Sequence, residues 1–192
     1  MTVASPALAR PVIADLIPGA RVRDAVLVVA GAGITGLAAQ FAIHTPLSPV
    51  PFTLQTLAVL VVGASLGPAR ALLSMLLYLA AGTAGVPWFA HAGHGWANSP
   101  SFGYIFGFVA AATAVGYLAR RGADRNVAGT VALMVAGNVL VYALGATWLA
   151  IDLHLSVRQT WDLGIYPFLI SDALKIAVAA IVFPTTWRLA RR

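Results

Sequence analysis

The chain has 192 residues, of which 60% are hydrophobic and only 9% charged, with a formal net charge of +6. Soluble domains run at roughly 45–50% apolar and 25% charged, so this composition cannot cover a water-facing surface and points to a lipid bilayer. The arginines are scattered over short stretches instead of forming one basic face with aromatics, which argues against a nucleic-acid partner, and the absence of cysteine excludes a disulfide framework and thiol chemistry.

Stretches of the roughly 20 mostly apolar residues that a span needs fall at about 25–44, 52–66, 69–86, 102–119, 127–150 and 166–187. The second and third are short and are separated by Gly67-Pro68. Arg10, Arg21 and Arg23 precede the first span, with Arg70 between spans two and three. Arg120, Arg121 and Arg125 lie between four and five, and Arg188, Arg191 and Arg192 follow the last. All fall on one side of a six-span alternation, against Arg158 on the other, and basic loops stay cytoplasmic. The expected fold is therefore an all-α integral membrane protein of the cell membrane, with six transmembrane helices and both termini cytoplasmic. Residues 1–24 form a cytoplasmic tail, 25–187 the transmembrane domain and 188–192 a basic tail. The tail before span one resembles a signal-peptide n-region, but no small-residue cleavage site and soluble domain follow, so span one is read as retained.

The three external loops differ from the short basic turns. The first, 44–52, is stiffened by Pro46, Pro49 and Pro51. The second, 85–101, is rich in glycine and aromatics and carries His91 and His94; the third carries Asp152, His154, Arg158, Trp161 and Asp162.

Span one contains Gly31-Ala-Gly33-Ile-Thr-Gly36, which matches the dinucleotide pattern G-x-G-x-x-G. That pattern also requires a βαβ unit and an acidic residue about 20 positions on, where this chain has Pro51-Phe-Thr-Leu-Gln-Thr56. Ala32 with Gly36, and Gly31 with Thr35 and Ala39, make instead a small-residue stripe for close helix approach, inside the bundle or against a membrane partner. His91 and His94 supply half a metal site at best, with no Cys or Glu to complete it, so no metal is expected. Ser74, Ser101 and Ser171 lack a nucleophile elbow, and no phosphate-binding loop is present; no enzymatic reaction and no cofactor is indicated.

The last span is different. Asp172 and Lys175, the sole lysine of the chain, stand three apart on one helical face inside an apolar run. Counting from Pro167 at 1.5 Å per residue, they lie roughly 7 and 12 Å below the outer end of the helix. Each charge costs roughly 2.5–3.5 kcal/mol at membrane depth, and such charges ordinarily face a bundle interior or an aqueous cavity. The pair is either a self-neutralising strut or the floor of an outward-facing polar pocket. Gln55 in span two, and Asn138 with Tyr142 one turn on in span five, add polar groups that serve either as interhelical hydrogen bonds or as ligand contacts. Trp88, Trp96 and Trp148 suit interface anchors.

The run from Ser48-Pro-Val-Pro-Phe-Thr-Leu-Gln55 to Gly67-Pro68 resembles the BioY family, as do Leu76 to Phe89, Phe102-Gly-Tyr104 to Phe108, Gly137-Asn-Val-Leu-Val-Tyr142 to Leu149 and Pro167-Phe-Leu-Ile-Ser-Asp-Ala-Leu-Lys175. In order, these cover most of residues 25–187. The resemblance implies the substrate-binding component of an energy-coupling-factor (ECF) transporter, taking up biotin from outside. A transmembrane coupling subunit and two cytoplasmic ATPases would be its partners, with Ala32 and Gly36 docking the coupling subunit. It further implies biotin contacts at Asp172, Lys175, Asn138, Tyr142 and Gln55, with Tyr104, Trp88 and His94 in reach. Some members carry an asparagine where this chain has Gly93-His94-Gly95, and an arginine where it has Ile105, so recognition of the ligand carboxylate differs here. A self-sufficient secondary carrier of biotin or another small vitamin is the alternative.

Overall fold

The computed structural model describes residues 10–17, 21–95 and 99–190; Trp96, Arg191 and Arg192 lie outside them. In chain order it contains α1 (Arg21–Gln40), β1 (Ala42–Thr45), β2 (Ser48–Thr53), α2 (Gln55–Leu66), α3 (Pro68–Thr83), α4 (Phe102–Arg120), α5 (Val127–Asp152), α6 (Val157–Gly164) and α7 (Leu169–Ala190). Four helical stretches, 21–40, 102–120, 127–152 and 157–190, are long and apolar enough to cross a membrane. With 12 residues, α2 rises roughly 18 Å, well short of a hydrocarbon layer of roughly 30 Å. It joins α3 through Gly67, whose φ of +79° only glycine adopts cheaply, and Pro68 opens α3 where its missing N–H matters least.

Helix α4 is the centre of the bundle, packing on α2, α3 and α5. Of its apolar window 61% is buried, against 28% for α1. The α4–α5 approach depends on Gly107, where an added Cβ would sit 2.9 Å from the Cα of Val141. That closeness brings the Tyr104–Phe108 face of α4 alongside Val141 and Tyr142.

Three features depart from the sequence expectation. The first external loop is a β-hairpin pairing Ala42 with Thr53, Ile43 with Phe52 and Thr45 with Ser48, irregular around His44, so the fold is not purely helical. Its prolines are tolerated because a two-stranded ribbon leaves each strand a free edge, where a missing N–H costs no ladder bond. The third external loop folds into α6, started by a capping box: Ser156 Oγ accepts from Gln159 N–H while Gln159 Oε1 accepts from Ser156 N–H at 3.0 Å. Finally, α1 begins at Arg21, and part of the expected N-terminal tail is packed. Val12 and Ala14 are buried beside the 3-10 turn Ile13–Leu16.

That packed segment lies at the basic end of the bundle. Arg10 N–H donates to the Arg120 carbonyl, and Arg125 donates to the Pro11 carbonyl. Asp15 accepts from Arg70 at 2.9 Å and from the Val12 N–H at 3.1 Å, with Arg120 at 3.5 Å. Burial pushes the Asp15 carboxyl up, but these donors and cations outweigh it and hold the group below the usual carboxylate range.

Candidate functional site: a polar-floored cavity at the hairpin end

Opposite the basic end, the hairpin, segments 89–95 and 99–101 of the second external loop, α2, α4, α5 and α7 enclose a cavity of about 400 Å³, within the size range of small-molecule sites. Its floor is a closed knot of polar groups. Lys175 Nζ donates to Asp172 Oδ1 and to Thr56 Oγ1, each at 2.8 Å, and Thr56 Oγ1 donates to Asp172 Oδ1 at 3.0 Å. Tyr142 OH donates to Asp172 Oδ2. Asp172 is 4% exposed.

The arithmetic of that knot matters. A carboxylate offers about four acceptor sites and an ammonium three donors. Three acceptor sites on Asp172 and two donors on Lys175 are occupied within the chain. One acceptor site on Asp172 and one N–H on Lys175 remain, and both residues line the cavity. Gln55, also lining the cavity, gives one N–H to Tyr78 OH at 2.8 Å and keeps Oε1 as a further acceptor. Above this floor the walls are Val50, Phe89, Tyr104, Ile105, Phe108, Val141 and Phe168, and at the mouth stand His44, His91, His94, Ser99 and Ser101.

The covering segments are tied down from behind. Gln40, the last residue of α1, donates to the carbonyls of Gly36, Trp88 and Phe89 and accepts from the Ala92 N–H at 3.1 Å. On the other flank, Ser48 Oγ of the hairpin donates to the Leu163 carbonyl of α6 at 2.7 Å.

The sequence profile of the BioY family matches residues 9–192. The chain belongs to the BioY family. The biotin transporter BioY of Thermotoga maritima is 36% identical over 142 residues, covering 73% of this chain and 82% of that one. The probable biotin transporter BioY of Pyrococcus horikoshii is 32% identical over 164 residues, covering 84% and 94%. Among solved structures, the crystal structure of an S-component for biotin from an ECF-type ABC transporter superposes with a TM-score of 0.78 over 90% of this chain and 93% of that one. At 20% identity, that likeness speaks for the fold.

On this BioY fold the residues expected from sequence are distributed unevenly. Asp172, Lys175, Tyr142, Gln55, Tyr104 and His94 all line the cavity. The Tyr104 hydroxyl donates to the Gly164 carbonyl at 2.7 Å, so its ring rather than its oxygen serves the chamber. Trp88 is not among the lining residues: its Nε1 donates to the Tyr78 carbonyl at 2.9 Å and its ring packs on Gly36 and Gly82. Asn138 is likewise displaced, one turn deeper on α5. It borders a small void shared with Thr56 and Lys175 and an apolar cleft between α5 and α7, and its Oδ1 has no partner among the described residues.

Ala32 and Gly36, expected to dock a coupling subunit, lie on the packed side of α1. Both are buried within the chain; a Cβ on Gly36 would meet Trp88 at 3.1 Å, and Gly31 sits as tightly on Ser74. The stripe is used for packing α1 on α3, so the surface open to a partner on α1 is the opposite row of Val22, Val26, Val29, Ile34 and Leu37.

Sequence reasoning missed Thr56, Phe108, Phe168 and the histidines 44 and 91. Thr56 was legible only as the neighbour of Gln55, because its partner is 116 positions away. The signal for Phe168 was its place next to Pro167, at the mouth of α7.

Proposed function

We propose that this chain captures biotin in the hairpin-end cavity and mediates its uptake as the substrate-binding component of an ECF-type transporter. The observation that carries this reading is the Asp172–Lys175–Thr56–Tyr142 knot, with one acceptor and one donor left unfilled beneath aromatic walls. Biotin's ureido ring supplies the matching groups, N–H donors beside a C=O acceptor, and its thioether ring suits the Phe108, Phe168 and Tyr104 surfaces. The names of the relatives, biotin transporters in several organisms, point the same way.

The bundle is read as six membrane passes with both termini in the cytoplasm. The arginine-rich end that holds Asp15 then lies inside, and the cavity opens to the exterior. Without a nucleotide-binding loop of its own, the chain depends on a transmembrane coupling subunit and two ATPases for energised release. It is a transporter subunit and not an enzyme.

The test is equilibrium binding of biotin to the detergent-purified chain, with thiamin and riboflavin as controls. Saturable binding of biotin alone is the expected result; equal binding of all three vitamins, or of none, overturns the reading. Accumulation of biotin in liposomes holding only this chain would replace the ECF assignment with a self-sufficient carrier.

A further inference from the structure

The floor of the cavity is suited to a ureido group and unsuited to a carboxylate. Lys175 is the one lysine or arginine among the described residues lining the chamber, and its ammonium lies 2.8 Å from Asp172. A ligand carboxylate brought there would face the Asp172 anion, which is only 4% exposed and so weakly screened by solvent. The acidic end of the ligand must therefore find its counter-charge elsewhere.

At the mouth, two elements deliver one imidazole each to the same spot. His44, from the irregular point of the hairpin, and His91, from the 84–101 loop, stack with ring centroids 4.1 Å apart and planes inclined by 12°. Both line the cavity. The stacking is upheld by unusual backbone: His91 and Ala92 are consecutive non-glycine residues with φ of +56°. Such left-handed conformations persist where the surroundings impose them. Here the Gln40 side chain accepts the Ala92 N–H and donates to the Trp88 and Phe89 carbonyls.

Among the described residues lining the cavity, the fixed charges are Asp172 and Lys175, which face each other at 2.8 Å. The other titratable residues lining the cavity are His94 on the same loop, Tyr104 on α4, Tyr142 on α5 and the mutually neutralising Asp172–Lys175 pair on α7. Behind the loop α1 presents Gln40, and α6, beside the hairpin, carries Asp162 and Arg158, both solvent-exposed and 3.8 Å apart. Imidazole is the side chain that ordinarily changes charge between pH 5 and 8, and an adjacent carboxylate favours its charged form. Two imidazolium rings stacked at this distance would repel, so the pair is suited to holding one proton between them rather than two.

Resting on the biotin reading above, we propose that His44 and His91 jointly take up one proton to hold the ligand's carboxylate at the cavity mouth, making capture of an acidic ligand proton-linked. The neutral donors Ser99 and Ser101 beside them can add hydrogen bonds, but supply no charge.

The test uses the full chain in detergent and two ligands, biotin and its neutral amide. Calorimetric titration at fixed pH, in buffers of different ionisation enthalpy, counts the protons taken up. Dissociation constants are then measured between pH 6 and 8. Biotin should bind with uptake of up to one proton, and its Kd should rise roughly tenfold over that range, within the tenfold-per-unit ceiling for a single linked proton; the amide should show neither effect. The double variant His44→Gln, His91→Asn, with asparagine chosen because it tolerates the left-handed conformation, should abolish proton uptake with biotin. Biotin binding without proton uptake, or the same pH slope for the amide, overturns the proposal and points to Ser99 and Ser101 as carboxylate holders. Failure of both ligands to bind at any pH overturns the biotin reading, and this inference with it.

Discussion

Removing the charges of Asp172 and Lys175 singly and together separates a ligand site from a structural strut. The side chains are only 5% and 15% exposed and meet at 2.8 Å. Breaking such a pair from one side strands a buried charge, at a cost of about 3–5 kcal/mol, whereas replacing both partners is often neutral. Asp172→Asn and Lys175→Met should each lower the thermal unfolding temperature in detergent, and the double variant should recover most of that loss. Biotin affinity should not recover. The floor offers the ligand one contact to a carboxylate and one from an ammonium, each a charge-assisted bond of about 1.5–3 kcal/mol. Losing both amounts to about 3–6 kcal/mol, or roughly two to four orders of magnitude in Kd. Thermal unfolding followed by intrinsic fluorescence and equilibrium binding with labelled biotin read the two quantities independently. A double variant that binds biotin like the wild type would refute the reasoning and leave the pair as a strut.

Tyr142→Phe keeps the ring but removes the hydroxyl that donates to Asp172; biotin binding should weaken by roughly tenfold to a hundredfold, the equivalent of one hydrogen bond to a charged group, as read by the same titration. Trp88→Phe removes the bond to the Tyr78 carbonyl and should cost about 1 kcal/mol of stability with less than threefold change in biotin Kd, because the ring is outside the cavity lining; a large loss of affinity would return Trp88 to the site. Because the chain has no cysteine, single introduced thiols report topology without background. Leu47→Cys at the exposed hairpin turn should react with an impermeant maleimide added to intact cells, and Arg121→Cys should react only after lysis. Asp15 has its folded-state pKa lowered, so its contribution is present above the ordinary carboxylate value and lost as pH falls through the lower folded value. Acid melting curves should show that loss in the wild type, and Asp15→Asn should flatten it.

Much of the bundle could be read from hydropathy because long apolar runs allow few alternatives in a bilayer. The hairpin could not, since Pro46, Pro49 and Pro51 argue against a strand unless the ribbon's free edges are known. Helix α6 was hidden by its length: 8 residues give too little periodicity to separate a short amphipathic helix from a loop. Within the site, Asp172 and Lys175 announced themselves as charges in an apolar run. Asn138 and Tyr142 share a face of α5, yet only Tyr142 lines the cavity, because Asn138 lies one turn, about 6 Å, further along the helix. The stripe of Ala32 and Gly36 was ambiguous for a different reason. Small side chains permit close approach whether the neighbour belongs to the same chain or another, and here Trp88 and Ser74 fill that role.

The amide of Gln40 joins the end of α1 to the loop over the cavity through the carbonyls of Trp88 and Phe89 and the N–H of Ala92. Helix and loop are thereby pinned as one mechanical piece at the water boundary. Any tilt of α1 must either drag that rim along or break all three links together, so a disturbance along the helix reaches the vestibule through Gln40 and through the Trp88 ring seated on Gly36.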